Sequence, residues 1–284
     1  MLVPVMAYYI TFHLVPVYGL QIAFKDFNPS IGIWSSDWIG WTYFDQFFSS
    51  YYFDRLLWNT VIISVLALVI AFPLPILLAL ILNEVKWLKV RSFVQNITYF
   101  PHFVSVIVVA GMITVFTSPS GVVNMITGWF GMEPTNFLIE KETFRSIYIL
   151  SEIWQHTGWS AIIYIAALSA INPELYEAAT MDGAGKWKKI KHVSFPGIIP
   201  TVVVLFILKI GNLLDVGFQK ILLLQNDLNL ETSDVISTYV YRTGILQGEY
   251  SFSTAVGLFN TMVNLILLIV ANYSIKRMTN NSLW

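Results

Sequence analysis

The sequence predicts an all-α integral membrane protein that crosses the bilayer six times, and three observations carry that prediction. Of its 284 residues, 56% are apolar and only 12% charged, with twenty Phe, whereas soluble domains average roughly 45–50% and 25%. Six stretches have the length and apolar character of a membrane helix, and the Lys and Arg residues gather in three of the connections between them. The formal net charge of −1 gives no electrostatic footprint for a nucleic acid. The absence of cysteine excludes a disulfide scaffold and a thiolate metal site.

At about 1.5 Å per residue, roughly twenty residues of helix cross a hydrocarbon layer of roughly 30 Å. Residues 3–24, 59–82, 97–118, 146–171, 197–218 and 253–275 meet that requirement and make membrane lipid the first expected partner. The first stretch is interrupted by Pro4, His13 and Pro16, and it has no basic n-region or small-residue cleavage site. It reads as a retained span rather than a signal peptide. It starts almost inside the bilayer, so a polar tail ahead of it has either been removed or never existed. Trp34, Trp38 and Trp41 in the following loop, and Trp87 after the second span, read as interfacial anchors.

Short cytoplasmic loops carry an excess of Lys and Arg. Lys86, Lys89 and Arg91 follow span two; Lys186, Lys188, Lys189 and Lys191 follow span four; Lys276 and Arg277 follow span six. Those regions are expected in the cytoplasm, and both termini with them. The acidic connections, with Asp26, Asp37, Glu133, Glu140, Asp227 and Glu231 among their charges, are expected outside.

The loop over 172–196 is the most patterned part of the chain. Asn172 suits an N-cap, Pro173 the first helical position, and Glu174 the positive end of the dipole, so a short helix should start there. Gly183 and Gly185 should end it, and a second amphipathic piece over 186–193 should stop before Pro196. Ala178 and Ala179 leave room for another protein's surface to approach the backbone, and Glu177 offers a carboxylate. A Lys-rich loop can also do no more than set topology. Here, however, Glu177-Ala178-Ala179 is followed after three residues by Gly183 and after nine more by Val193-Ser194-Phe195-Pro196.

That pattern resembles the cytoplasmic signature of type I ABC importer permeases, in which Glu-Ala-Ala, Gly and an Ile-x-Leu-Pro ending keep the same spacing. Val193 and Phe195 replace the usual Ile and Leu. Tyr99-Phe100-Pro101, Gly121 with Asn124, and the six-span layout extend the resemblance over most of the chain. It implies a single permease domain over 1–284, in the cytoplasmic (inner) membrane of a bacterium. It also implies that the loop is a coupling helix seated in an ATPase, with Glu177, Ala178, Ala179 and Asp182 at the contact and Gly183 at the turn. A second similar permease, two cytoplasmic ATPase subunits carrying ATP and Mg, and an extracytoplasmic solute-binding protein would complete the importer. The chain has no G-x-x-x-x-G-K-[ST] loop, since Gly185-Lys186 is followed by Trp187 and preceded by no matching Gly. It is therefore expected to be no enzyme and to bind no cofactor itself.

Polar residues inside spans are costly and mark pathways by default. Glu152, Gln155, His156 and Trp159 fall on one helical face; Lys209, Asn212, Asp215 and Gln219 make a second stripe, and Asn260 and Asn264 a third. Facing one another in the outer half of the membrane, they would line a cavity open to the exterior. The alternatives are interhelical hydrogen bonds and neutralising pairs, Glu152 with His156 and Lys209 with Asp215. By ungapped spacing, the resemblance puts Gln155, His156, Trp159, Asn212 and Asp215 where maltose-type permeases line their sugar site. Residues 18–29, Tyr-Gly-Leu-Gln-Ile-Ala-Phe-Lys-Asp-Phe-Asn-Pro, resemble the polysaccharide-type subgroup that handles oligosaccharides from alginate or pectin. An acidic oligosaccharide would give Lys209 and His156 a purpose. A permease for another solute, a proton-coupled transporter using Glu152, His156 and Asp215, and a structural or sensory subunit remain the competing readings; the lack of a visible internal repeat counts against the second.

Overall fold

Prolines punctuate the apolar stretches, and the backbone answers three of them in the same way. The computed structural model describes residues 2–279. Ahead of Pro16, Pro73 and Pro196 the helix widens into a π-turn, at Ile10–Leu14, Ala67–Ala71 and Ile190–Ser194, and each proline stands two residues past the end of its turn. A proline ring crowds the carbonyl four residues back and has no N–H to offer it. The i→i+5 geometry of a π-turn moves the preceding bonds out of register, as in Phe72 N–H to Ala67 O at 3.1 Å. The helices therefore run through their prolines. This corrects the expected stop before Pro196: the piece from Lys186 continues through the turn into a 26-residue run, Lys186–Gly211.

Among the described residues, five helical stretches are long and apolar enough to cross a membrane: Leu2–Phe24, Phe53–Asn83, Val106–Gly128, Lys186–Gly211 and Tyr250–Arg277. The remaining expected span, 146–171, forms one helix of 26 residues, Phe144–Ser169, about 39 Å long, but its polar face keeps it out of that set.

Two other expected spans have different bounds. The stretch 97–118 is broken. A helix Leu88–Tyr99 ends in the 3-10 turn Phe100–Phe103, led by Pro101, and a new helix Val106–Thr117 starts where Ser105 caps it. The stretch 197–218 ends as a helix at Gly211, with Asn212 as its cap, since Gly and Asn are both weak helix formers. Asp215 therefore lies in a turn, and Gln219 on a separate short helix, Phe218–Leu224. The expected stripe of Lys209, Asn212, Asp215 and Gln219 does not exist as one helical face.

Chain contacts divide the protein into two compact units. The first, residues 1–60 and 234–265, holds a small antiparallel hairpin, Lys25–Asp26 with Asp37–Trp38, which departs from an all-α fold. Its core joins Phe47, Leu56, Ile236, Tyr239, Phe252 and Val256. Beside that core the fully buried Asp234 takes Arg242 at 2.7 Å and Arg55 at 3.1 Å.

The second unit, residues 61–233 and 266–284, is organised around the long helix Phe144–Ser169. Against it lie Pro73–Asn83, Leu88–Tyr99 and Phe195–Gly211, with Ile76, Ala79, Ala161, Tyr164, Leu168 and Ile198 in the core. The approach is closest at Gly158, where a Cβ would overlap the backbone carbonyl of Thr98. Gly121 and Asn124 also have local work. A Cβ at Gly121 would collide with the Phe116 carbonyl. The Asn124 amide donates to Ser118 O and Thr135 O, both at 2.7 Å, and its Oδ1 accepts from Thr135 N–H at 3.0 Å.

Gly158→Ala is expected to lower the thermal unfolding midpoint in detergent, at a cost of about 1–3 kcal/mol for forcing a methyl into a packed seam. Gly111→Ala, where an added Cβ meets nothing within 4 Å, should leave the midpoint in place. Equal midpoints for the two variants would show that the helices do not approach so closely.

Candidate functional site

Non-helical backbone at membrane depth is tolerated where it is buried in protein or lines a cavity, and the break at Phe100–Val104 does both. Gln155, buried on the long helix, donates from Nε2 to the Val104 carbonyl at 3.2 Å, a carbonyl outside any helix. Gln155 thus turns to the break and is not part of the cavity wall. On the other side of the break, His102 faces a cavity of about 670 Å³. The polar lining comes from His102, Glu152, His156, Trp159, Lys209 and Asn212, together with Thr157, Ser160 and Tyr164; much of the remaining wall is aliphatic or aromatic, including Phe72 and Leu205.

Three rings are locked together at this wall. His102 and His156 approach Nδ1 to Nδ1 at 3.1 Å, so one imidazole supplies the proton that the other accepts, and two imidazolium ions would set two N–H groups head to head. The His102 ring stacks on Trp159, with centroids 4.6 Å apart and planes within 4°, and Phe103 meets Trp159 edge-on at 5.3 Å. One face of the Trp159 indole is therefore already covered.

Glu152 stands between Lys220 and His156. It forms an ion pair with Lys220 and lies 3.8 Å from His156 Nε2. Lys220, on the short helix Phe218–Leu224, is 3% exposed. Its ammonium also lies 6.0 Å from the centre of the Tyr148 ring, whose hydroxyl accepts from Gly217 N–H at 3.0 Å. Sequence reasoning paired Glu152 with His156 and overlooked Lys220, which lies beyond the expected span. It overlooked His102 too, although that residue directly follows Tyr99-Phe100-Pro101. The expected Lys209–Asp215 pair does not form: among the described residues no carboxylate lies within 4.0 Å of the Lys209 ammonium. Asp215 is not part of the cavity wall. Asn260 and Asn264 are buried on Tyr250–Thr279, within the other unit.

The patterned loop forms the helix Pro173–Met181. Asn172 Oδ1 accepts from Glu174 N–H at 3.0 Å. At the other end Ala184 N–H bonds Ala179 O at 2.8 Å and Gly183 N–H bonds Thr180 O at 3.0 Å, with Gly183 at φ +73°. This is a Schellman exit, which needs the left-handed conformation that glycine adopts at little cost. Glu177, Ala178 and Asp182 are exposed and Ala179 is half-buried. The Tyr176 hydroxyl ties the helix down, 3.0 Å from Ser194 Oγ and 3.4 Å from Asn83 Nδ2. The result is a short, doubly capped helix with its acidic and small residues turned to solvent.

Residues 71–280 match the family model described as binding-protein-dependent transport system inner membrane component. The chain is 46% identical to the polygalacturonan/rhamnogalacturonan transport system permease protein YteP of Bacillus subtilis (strain 168), over 98% of this chain and 87% of that protein. Among solved structures, a chain of a bacterial ABC transporter involved in the import of the acidic polysaccharide alginate superposes with a TM-score of 0.91 at 44% identity, covering 98% of this chain and 94% of that one. A chain of bacterial alginate ABC transporter in complex with alginate pentasaccharide-bound periplasmic protein gives a TM-score of 0.92 at 42% identity, covering 100% and 95%.

Removing the counter-ion of a buried lysine leaves its charge uncompensated. Glu152→Gln is expected to cost about 3–5 kcal/mol of stability, read as a lowered unfolding midpoint. Adding Lys220→Met should recover most of the loss, because the stranded ammonium goes with it. A double variant no more stable than Glu152→Gln alone would show that the pair is not what holds the short helix.

Proposed function

The chain belongs to the family of binding-protein-dependent transport system inner membrane components and is the multi-pass, non-catalytic permease of an ABC importer; from that premise we propose that it forms half of the pathway for an acidic oligosaccharide, with Lys209 reading the substrate's carboxylates. The observation that carries the substrate reading is the Lys209 ammonium in the cavity wall, beside Asn212 and with no carboxylate within 4.0 Å among the described residues. A cation that lines a cavity with no carboxylate beside it among the described residues favours an anionic guest. The amide of Asn212 and the carboxylate of Glu152 supply hydrogen bonds for hydroxyls. The names of the similar proteins, a polygalacturonan/rhamnogalacturonan permease and an alginate importer, point to the same class of uronate polymer.

The residues 1–284 act as one permease domain in this reading, with Phe144–Ser169 as the sixth crossing. Its polar face is tolerated because it turns to the cavity and to Lys220 rather than to lipid. Both termini lie in the cytoplasm of a bacterium. The helix Pro173–Met181 is the coupling helix, with Glu177, Ala178, Ala179 and Asp182 against an ATPase subunit and Gly183 setting the turn. Two ATPase subunits hold ATP and Mg, a second similar permease completes the pathway, and a soluble receptor delivers the oligosaccharide from outside.

Uptake of labelled uronate oligosaccharide into proteoliposomes holding the assembled transporter tests both parts. Glu177→Ala should cut ATP- and receptor-driven uptake at least tenfold while leaving the unfolding midpoint unchanged; undiminished uptake would remove the coupling role. Lys209→Gln deletes a charge-assisted contact of about 1.5–3 kcal/mol, which corresponds to roughly ten- to hundredfold in affinity for the uronate. It should leave a neutral, esterified analogue as before. Equal losses for both substrates would make Lys209 structural.

A further inference from the structure

Two of the most exposed indoles in the chain stand on either side of one groove. Trp87 is 76% exposed and Trp187 80% exposed, and both line a groove of about 490 Å³ between the inner end of Pro73–Asn83 and the turn Lys186–Lys189. Ile81, Val85, Val90 and Ile190 give the groove an aliphatic floor, and Lys86 and Lys186 add two cationic side chains to its lining. Glu84 is the one carboxylate in the lining. Lys89 and Arg91 follow on one flank, and Lys188, Lys189 and Lys191 on the other.

An aliphatic floor in a watery groove wants an apolar occupant, indoles prefer the level where headgroups meet acyl chains, and a surplus of cations wants an anion. A free phosphate would leave the floor wet. A zwitterionic lipid would leave the lysine surplus uncompensated. We propose that this groove is a binding site for an anionic phospholipid, its phosphate between Lys86 and Lys186, its glycerol level with the two indoles, and an acyl chain along Ile81 and Ile190. The site is separate from the substrate cavity and holds whether or not the substrate is a uronate.

The test uses the assembled transporter in nanodiscs that contain dibrominated phosphatidylglycerol or, at equal mole fraction, dibrominated phosphatidylcholine. The tryptophan quenching assigned to the groove is the difference between the wild type and W87F/W187F. It should favour phosphatidylglycerol at least fivefold, since each lysine near an anionic surface contributes about a fivefold preference, and K86Q/K186Q should bring the ratio down to about one. Native mass spectrometry of the wild type and K86Q/K186Q gives the same comparison without the tryptophan variant: phosphatidylglycerol retained by the first and lost from the second. Equal quenching by both lipids, or none by either because another subunit covers the indoles, would overturn the proposal. So would loss of the preference on adding inorganic phosphate, which would identify the occupant as a free anion.

Discussion

Every backbone N–H and C=O that enters a bilayer must find a partner inside the protein, and this constraint governs where the chain is regular and where it is allowed to break. At Pro16, Pro73 and Pro196 it is met locally, by widening one turn so that the helix goes on. At Pro101 it is met through a neighbour: the helix stops, Ser105 caps the next one, and Gln155 reaches across to the Val104 carbonyl. The first solution preserves long rods. The second opens the polypeptide at the one place in the second unit where His102 can stand against His156 and Trp159.

The same accounting separates the two lysines near the cavity. Lys220 is buried and charged, and Glu152 offsets it within the same unit, so its role is to fasten Phe218–Leu224 to the long helix. Lys209 sits at the cavity wall without such a partner among the described residues. A charge matched inside the protein is a brace, whereas one at a cavity surface without a carboxylate beside it stays available to a guest. The His102–His156 contact adds a proton-sharing pair to that wall, which suits hydroxyls as either donor or acceptor.

The patterned loop, the helical class and the family were legible in the sequence because each rests on local chemistry. A proline at the first position, an Asn cap and a glycine after the last turn act over a few residues, and the helix Pro173–Met181 appears where they place it. What escaped needed partners far away in the chain. Lys220 becomes buried only because Glu152, 68 positions earlier, meets it. Gln155 looks like a pathway residue until the break 51 positions earlier claims its amide. Asp215 was placed on a span because apolar residues continue past Gly211, and hydropathy does not register a helix end set by Gly211 and Asn212. The long helix escaped a composition criterion in the opposite sense: its polar face, which belongs to the cavity and to Lys220, lowers the average that a lipid-facing rod would show.

The continuity through Pro196 gives the loop mechanical reach. Had the helix stopped before that proline, a displacement of Pro173–Met181 would have pulled on a flexible joint. Instead the Schellman turn at Gly183 leads within three residues to Lys186, and from there one 26-residue run reaches Gly211, beside Lys209 and Asn212. Tyr176 clamps Pro173–Met181 to that run at Ser194 and to the end of Pro73–Asn83 at Asn83. The point of compliance along this path is the π-turn Ile190–Ser194, whose looser bonding lets a helix change direction without losing its ladder. A displacement of Pro173–Met181 would thus arrive at the cavity as a tilt of a rod about that turn, moving Lys209 relative to the ring cluster on the long helix. A mechanical path from loop to cavity needs no relay of side chains when one helix touches both.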